Sequence, residues 1–239
     1  AVVDGKASPA YESIQQPGIV FSPDGTRVAF VTKKGEKAIA VIDGQASEEF
    51  GVIASAGFGF SPDGRHLAFG AQRGAKFFVV VDGKAGPEFD GLLESSPLTF
   101  SADGTRVAFG AMMGKRFVAV IDGESAEWDA IDARGIRFSP KGNRAFYMAQ
   151  TGGKWTTIVD GQPGPPCDTS GSPSFNAAGT SFAYMCEVGK TQRMIFDGRP
   201  GETFDAIVKG GPQFHADGTL EYLALRGGSL YRVTSGPVR

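Results

Sequence analysis

Three adjacent cation–aromatic pairs are the residues of this chain best suited to bind another molecule. They are Lys76-Phe77, Arg116-Phe117 and Lys154-Trp155, spaced 40 and 38 residues apart (116 − 76 and 154 − 116). A cation beside an aromatic face can bind an anionic group and apolar surface together. The sequence therefore predicts a binding surface, to which we add Arg134 and Arg137. The structural alternative is that the aromatic rings pack between sheets and the cations stay in water.

The charges around these pairs are unevenly distributed along the chain. Cations concentrate in short turns, at Lys33, Lys34, Lys37, Arg73, Lys76, Lys115, Arg116, Lys154, Lys190 and Arg226. Acidic residues concentrate in the segments that follow, at Glu48, Glu49, Glu88, Asp90, Glu127, Asp129, Glu202 and Asp205. This pattern predicts a positive face and an acidic rim, which would attract an anionic partner although the net charge is only −2. We expect a protein partner, with an anionic glycan as the alternative; the small net charge argues against nucleic acid.

The sequence predicts no catalytic residues, no metal site and no cofactor. His66 and His215 fall at a strand start and in a turn, and no Gly-x-Ser-x-Gly motif is present. A nucleophilic triad needs a base beside a hydroxyl group, which this arrangement does not indicate. Aspartates recur in every repeat, and turn geometry explains them better than calcium binding does.

Only two cysteines are present, Cys167 and Cys186. Cys167 occupies the position held in other repeats by Tyr11, Phe50, Phe89, Trp128 and Phe204. We therefore interpret the cysteines as free thiols that act as small buried apolar side chains. A disulfide between them is the alternative.

The chain is built from six repeats. The motif Phe21-Ser22-Pro23-Asp24-Gly25 returns at Phe60 to Gly64, Phe100 to Gly104, Phe138 to Gly142, Phe175 to Gly179 and Phe214 to Gly218. Repeats of about 40 residues are typical of four-stranded propeller blades. The sequence predicts an all-β, six-bladed β-propeller with four antiparallel strands per blade, forming one domain over residues 1–239. The blades are expected to start near residues 17, 56, 96, 135, 172 and 211.

Each repeat predicts four strands, joined by the motif turn, a Gly-containing hairpin and an Asp-Gly turn. In the second repeat the fourth strand is expected at Glu88 to Leu92. Residues 1–15, with Tyr11 to Ile14 as the clearest strand, are expected to complete the last blade and close the ring. The sequence leaves open which terminal segment supplies the third strand of that blade.

The motif and the strands Val28-Ala29-Phe30 and Leu67-Ala68-Phe69 resemble the WD-repeat-like repeats of bacterial TolB-type propellers. The resemblance covers essentially the whole chain and implies a periplasmic or secreted binding platform. Related propellers accompany serine peptidases or act as polysaccharide lyases. The repeats at Lys141, Ala177-Ala178 and His215 depart from the motif. Within this sequence we expect only the propeller repeats, without the α/β domain that precedes them in TolB.

We therefore expect a non-enzymatic scaffold that docks a macromolecule on one propeller face. The alternative is a polysaccharide-active or peptidase-associated propeller domain. No run of about 20 apolar residues is present, so we expect no membrane span. We also expect a monomer.

Overall fold

The computed structural model describes residues 2–3, 6–7, 11–141, 143–208 and 210–236. Within these residues the protein is all-β, and its strands form one antiparallel sheet of four or five strands for each repeat, besides a two-stranded sheet near the N-terminus. No described segment forms a helix capable of crossing a membrane. Residues 1, 4–5 and 8–10 of the N-terminal segment predicted to close the ring, together with Gly142 of the fourth motif copy, lie outside the described residues. The chain divides into two compact units, residues 1–126 and 127–239.

The strands of the first three repeats follow a hairpin formed by β1 (Val2–Val3) and β2 (Lys6–Ala7). The first repeat contains β3 (Val20–Phe21), β4 (Val28–Lys34), β5 (Lys37–Ile42) and β6 (Gln45–Ala46). The second contains β7 (Val52–Ile53), β8 (Gly59–Phe60), β9 (Leu67–Arg73), β10 (Lys76–Val81) and β11 (Lys84–Ala85). The third contains β12 (Gly91–Leu92), β13 (Thr99–Phe100), β14 (Val107–Met113), β15 (Arg116–Ile121) and β16 (Glu124–Trp128). The boundary between the two units falls within β16.

The second unit holds the strands of the last three repeats. The fourth contains β17 (Ala130–Ile131), β18 (Arg137–Phe138), β19 (Ala145–Thr151), β20 (Lys154–Val159) and β21 (Gln162–Pro163). The fifth contains β22 (Thr169–Ser170), β23 (Ser174–Phe175), β24 (Phe182–Val188), β25 (Thr191–Phe196) and β26 (Arg199–Phe204). The sixth contains β27 (Ala206–Ile207), β28 (Gln213–Phe214), β29 (Leu220–Arg226) and β30 (Ser229–Ser235).

The predicted fourth strand of the second repeat is divided between two sheets. Phe89 bridges to Phe77 of its own sheet, but Gly91 and Leu92 pair with Met112 and Ala111 of the next sheet. The physical reason is the burial of Phe89 in an apolar cluster with Val79 and Phe109, which carries the chain from one sheet to the next. The expectation of a continuous strand over Glu88 to Leu92 was therefore wrong. The second sheet thus also contains β7 (Val52–Ile53), and the predicted blade boundaries stay predictions.

The two ends of the chain each contact a described sheet. Tyr11 packs edge-to-face on Phe30, with ring centroids 5.4 Å apart, and Ile14 bridges to Thr32. Residues 11–14 therefore contact the first sheet as Phe89 and Leu92 contact the third; their place in the last blade stays a prediction. In the sixth sheet β30 pairs with β29 along its full length, so Ser229–Ser235 supplies the third strand. Ring closure itself stays a prediction.

The Asp-Gly turns were predicted correctly. Asp43, Asp82, Asp122, Asp160 and Asp197 have φ between 46° and 52°, and the glycine that follows each also has a positive φ. Two successive positive φ angles define the tight type I′ hairpin, which Asp-Gly adopts readily. The turn therefore joins the third strand to the next one without distorting either.

Candidate functional site

The repeated aspartates hold the turns of each sheet to the adjoining strands. In the first repeat Asp43 accepts hydrogen bonds from the Val28 backbone N–H and from Nε of Arg27, both at 2.9 Å. In the second repeat Asp82 binds Leu67 N–H in the same way and lies 2.6 Å from Nδ1 of His66. His66 thus occupies a structural position that arginine holds in other repeats.

The motif turn is stabilised by a second set of hydrogen bonds. The buried Ser22 hydroxyl donates to Asp24 at 2.5 Å and accepts from Arg27 N–H at 2.9 Å. The Ser22 hydroxyl and the Thr26 N–H and hydroxyl lower the pKa of Asp24. These aspartates therefore perform the turn role that the sequence indicated. In the described residues no group of three or more His, Cys, Asp or Glu could hold a metal ion.

The hairpin cations contact the acidic residues that the sequence assigned to a separate rim. Lys76 lies 2.7 Å from Asp90, and Asp90 also accepts the Gly114 N–H from the next repeat at 2.6 Å. Lys76, with help from the Gly114 N–H, lowers the pKa of Asp90, and Asp90 raises the pKa of Lys76. Other such pairs are Lys34–Glu49, Arg73–Glu48 and Arg226–Glu202. Part of the positive charge is thus balanced locally.

The predicted aromatic partner of Lys76 lines a cavity. Phe77 lies opposite Gln72 in the second sheet, and both border a space of about 530 Å³. The cavity lies between the second and third sheets, and its walls include Val52, Val79, Leu92 and Leu98. Most of the lining is apolar, with a few polar groups such as Ser55 and Glu94, as is common for binding pockets of this size.

Glycine at position 70 shapes this cavity. The equivalent position of β4, β19, β24 and β29 carries Val31, Met148, Met185 and Leu223, four residues into each strand. A Cβ atom on Gly70 would lie 2.7 Å from Cδ1 of Leu92. The missing side chain therefore lets the segment around Leu92 approach the second sheet. The cavity was not predicted from the sequence. The signal that could have indicated it is a glycine at a strand position where four other repeats carry a larger side chain.

The other predicted site residues in the first unit lie on the hairpin of the third sheet. Phe117 is paired with Met112, and Arg116 with Met113, which is 40% exposed. Val52, at the cavity wall, is 50% exposed. The first unit therefore brings together Lys76, Phe77 and a cavity that the sequence did not predict, and the third hairpin adds Arg116 and Phe117 beside an exposed methionine.

The remaining predicted residues belong to the second unit. Lys154 forms an ion pair with Asp168, whose pKa is lowered by the Gly189 N–H and by Lys154. Trp155 bridges to Cys167 through backbone hydrogen bonds of 2.9 and 2.8 Å. Arg134 and Arg137 lie away from this hairpin, in the segment between β17 and β18 and at the start of β18. The second unit therefore separates the predicted residues into two groups.

Cys167 and Cys186 form a disulfide. The free-thiol interpretation was therefore wrong. The packing interpretation of Cys167 was correct, since both cysteines are fully buried in an apolar cluster with Tyr184 and Ile195.

Comparisons with known proteins give structural likeness only. The chain matches no protein-family model and no curated protein. Among solved structures, it is similar to the β-propeller domain of the trilobed protease from Pyrococcus furiosus, at 13% identity and a TM-score of 0.39, covering 91% of this chain and 79% of that one. It is also similar to TolB from Acinetobacter baumannii, at 16% identity and a TM-score of 0.35, covering 91% of this chain and 60% of TolB. A prolyl endopeptidase gives 13% identity and a TM-score of 0.41, with coverage of 95% and 43%.

Proposed function

We propose that this chain is a non-enzymatic binding scaffold that docks a protein through the cavity and hairpin ends of the second and third repeats. The observation that supports this proposal is the cavity of about 530 Å³. Its lining includes Phe77 and the half-exposed Val52, so apolar surface is accessible to a partner. The Lys76–Asp90 ion pair lies beside Phe77. A partner could insert an apolar side chain while its polar groups meet the charged hairpins, the usual anatomy of a protein interface.

A protein fits this surface better than an anionic glycan does. A glycan presents few apolar groups, whereas the cavity walls are mostly aliphatic and aromatic. The ion pairs of Lys76, Lys34 and Arg73 also leave less free positive charge than the sequence suggested. In the second unit, Lys154 and Trp155 begin the corresponding hairpin strand β20, where Lys154 is paired with Asp168.

The scaffold itself is proposed to be a six-bladed propeller with a closed ring. One antiparallel sheet per repeat supports six blades. Exposed apolar side chains on the terminal sheets support closure, since Phe21 is 54% exposed and Leu230 is 62% exposed. Closure would cover such surfaces. Covalent footprinting should show both side chains protected in solution; full labelling of both would reject closure.

The disulfide supports an extracytoplasmic location, because such bonds persist in the periplasm and outside the cell. Periplasmic or secreted localisation is part of the same proposal. No described contact favours the polysaccharide-active or peptidase-associated alternative, since His66 and His215 both contact carboxylates within their own repeats.

Site-specific photo-cross-linking in extracts of the native source tests the docking surface. A photoreactive residue at Val52 should capture a defined protein, and Phe77→Ser should reduce that capture at least tenfold. The matched control places the same residue at Val188, an exposed apolar position on the hairpin end of the fifth repeat. Equal capture from both positions, or capture unaffected by Phe77→Ser in a folded protein, would reject the proposed surface.

A further inference from the structure

Two arginines of the second unit point their guanidinium groups at one hydroxyl oxygen. The NH1 atom of Arg134 lies 2.6 Å from Oγ of Ser172, and the NH2 atom of Arg137 lies 3.4 Å from the same oxygen. Ser172 is neutral, so it is a weak acceptor for two charged donors. A carboxylate or phosphate, by contrast, carries negative charge and can accept two parallel hydrogen bonds from one guanidinium.

Neighbouring groups hold both guanidinium groups in place. Asp132 accepts from Nε of Arg134 at 2.6 Å and from NH2 at 3.2 Å, which fixes the fork and leaves NH1 directed at Ser172. The ring of Phe146 lies below Arg137, whose guanidinium carbon is 5.1 Å from the ring centroid. The hydrogen bonds from Arg134 lower the pKa of the Asp132 carboxyl below its usual value, so this carboxylate stays ionised beside the two cations. The donors are therefore oriented before any ligand arrives, which reduces the entropy lost on binding.

The charge balance at this site indicates the class of ligand. Two guanidinium groups and the single carboxylate of Asp132 leave one net positive charge (+2 − 1). A carboxylate, with one negative charge, balances this excess, whereas a phosphate would exceed it. The planar fork of arginine also matches the geometry of a carboxylate.

We infer that Arg134, Arg137 and Ser172 form a recognition site for a carboxylate group. The arginine NH groups that now meet the Ser172 oxygen would donate to the carboxylate, and the Ser172 hydroxyl would rotate to donate as well. This carboxylate comes either from an acidic side chain or from the C-terminus of a partner chain. The site lies in residues 127–239 and is independent of the docking cavity, so failure of either proposal leaves the other intact.

Nuclear magnetic resonance titration with two small carboxylates tests this inference and separates the sources. N-acetyl-glutamate α-amide presents a side-chain carboxylate, and N-acetyl-glycine presents a terminal one. We expect saturable shifts of the Ser172 amide and the Arg134 Nε–H at millimolar concentration. The probe that binds more tightly identifies the source.

The variants Arg137→Gln and Ser172→Ala should weaken this binding at least fivefold, because each removes one donor without disturbing the Arg134–Asp132 pair. Arg232→Gln serves as the control, since Arg232 is bound to Glu221 in the sixth repeat. The inference is overturned if neither probe gives saturable shifts, or if Arg137→Gln binds as tightly as the Arg232→Gln control. Tighter binding of inorganic phosphate than of both carboxylates would overturn the assigned ligand class.

Discussion

In the second repeat Phe50 packs edge-to-face on Phe69 with ring centroids 5.7 Å apart. In the fifth repeat Cys167, the counterpart of Phe50, is instead bonded to Cys186, two residues beyond the counterpart of Phe69. Both contacts join the segment that leaves one sheet to the second strand of the next. Equivalent ring pairs are Tyr11–Phe30, Phe89–Phe109, Trp128–Tyr147 and Phe204–Tyr222. The comparison shows that the connecting segment is anchored to the next sheet in each of these repeats. The anchor is a pair of aromatic rings in five of them and a disulfide in the fifth repeat.

The two contacts stabilise the protein by different physical means. Phe50 is buried in an apolar cluster with Phe69 and Phe78, so its contribution comes from transfer out of water and from close packing. Cys167 is smaller and fills less space, but its bond closes a loop between residues separated by 19 positions in the sequence. The bond restricts the unfolded chain, which the aromatic pair does not.

The largest expected effect is at the aromatic contact. Phe50→Ala removes a side chain that is 1% exposed and leaves a cavity, so we expect it to lower the free energy of unfolding by about 3–5 kcal/mol. Denaturant unfolding monitored for the first unit measures this loss. Met113→Ala, which removes a side chain that is 40% exposed in the same unit, is the control. A loss at Phe50 no greater than at Met113 would contradict the proposed packing role.

Breaking the disulfide should have a slightly smaller effect, confined to the second unit. Reduction, or the double variant Cys167→Ala/Cys186→Ala, should cost about 3 kcal/mol by the loop-entropy relation. Hydrogen exchange should show the loss in β24 and β25, with β9 and β10 unchanged. The double variant should then be insensitive to reductant. Equal exchange rates in β24 before and after reduction would show that the bond contributes little.

The smallest effect concerns Tyr184, the counterpart of Phe69 in the fifth repeat. Its buried hydroxyl has no hydrogen-bond partner in the described part of the chain, whereas the hydroxyl of Tyr147 accepts from Nε1 of Trp128 at 3.2 Å. Because an unpaired buried polar group is costly, Tyr184→Phe should raise the free energy of unfolding by about 1 kcal/mol. Tyr147→Phe, which deprives Trp128 of its acceptor, should not raise it. A loss of stability in Tyr184→Phe would show that the hydroxyl has a partner in solution.

The same tyrosine provides a test by pH. Burial raises the pKa of Tyr184 to about 12, above the usual value of 10.0. Above pH 10 the unfolded chain therefore loses the proton before the folded protein does, and stability falls as the pH rises toward 12. Tyr184→Phe should lessen this fall. An identical alkaline profile in the variant would contradict the assigned burial.

Some features of the candidate sites could be read from the sequence, and others could not. The Phe-Ser-Pro-Asp-Gly motif and the Asp-Gly turns depend on local backbone preferences, so they predicted the turns and the two long strands of each sheet correctly, but not the divided fourth strand. The cation–aromatic pairs could be named, but their ion pairs with residues such as Asp90 depend on which segments meet across the sheet. Arg134 and Arg137 both contact Ser172, which lies 38 and 35 positions further along the sequence. A contact between residues so far apart cannot be predicted from local sequence.

The sequence alone determined an all-β chain of six similar sheets, because repeat spacing, alternating apolar residues and turn chemistry act over short distances. Tertiary structure decided which cysteine chemistry occurs, where the cavity beside Gly70 opens and how the fourth strand is shared between sheets. Each of these features depends on how side chains from successive repeats pack against one another. Such packing involves residues far apart in the sequence, so it cannot be predicted from local sequence patterns.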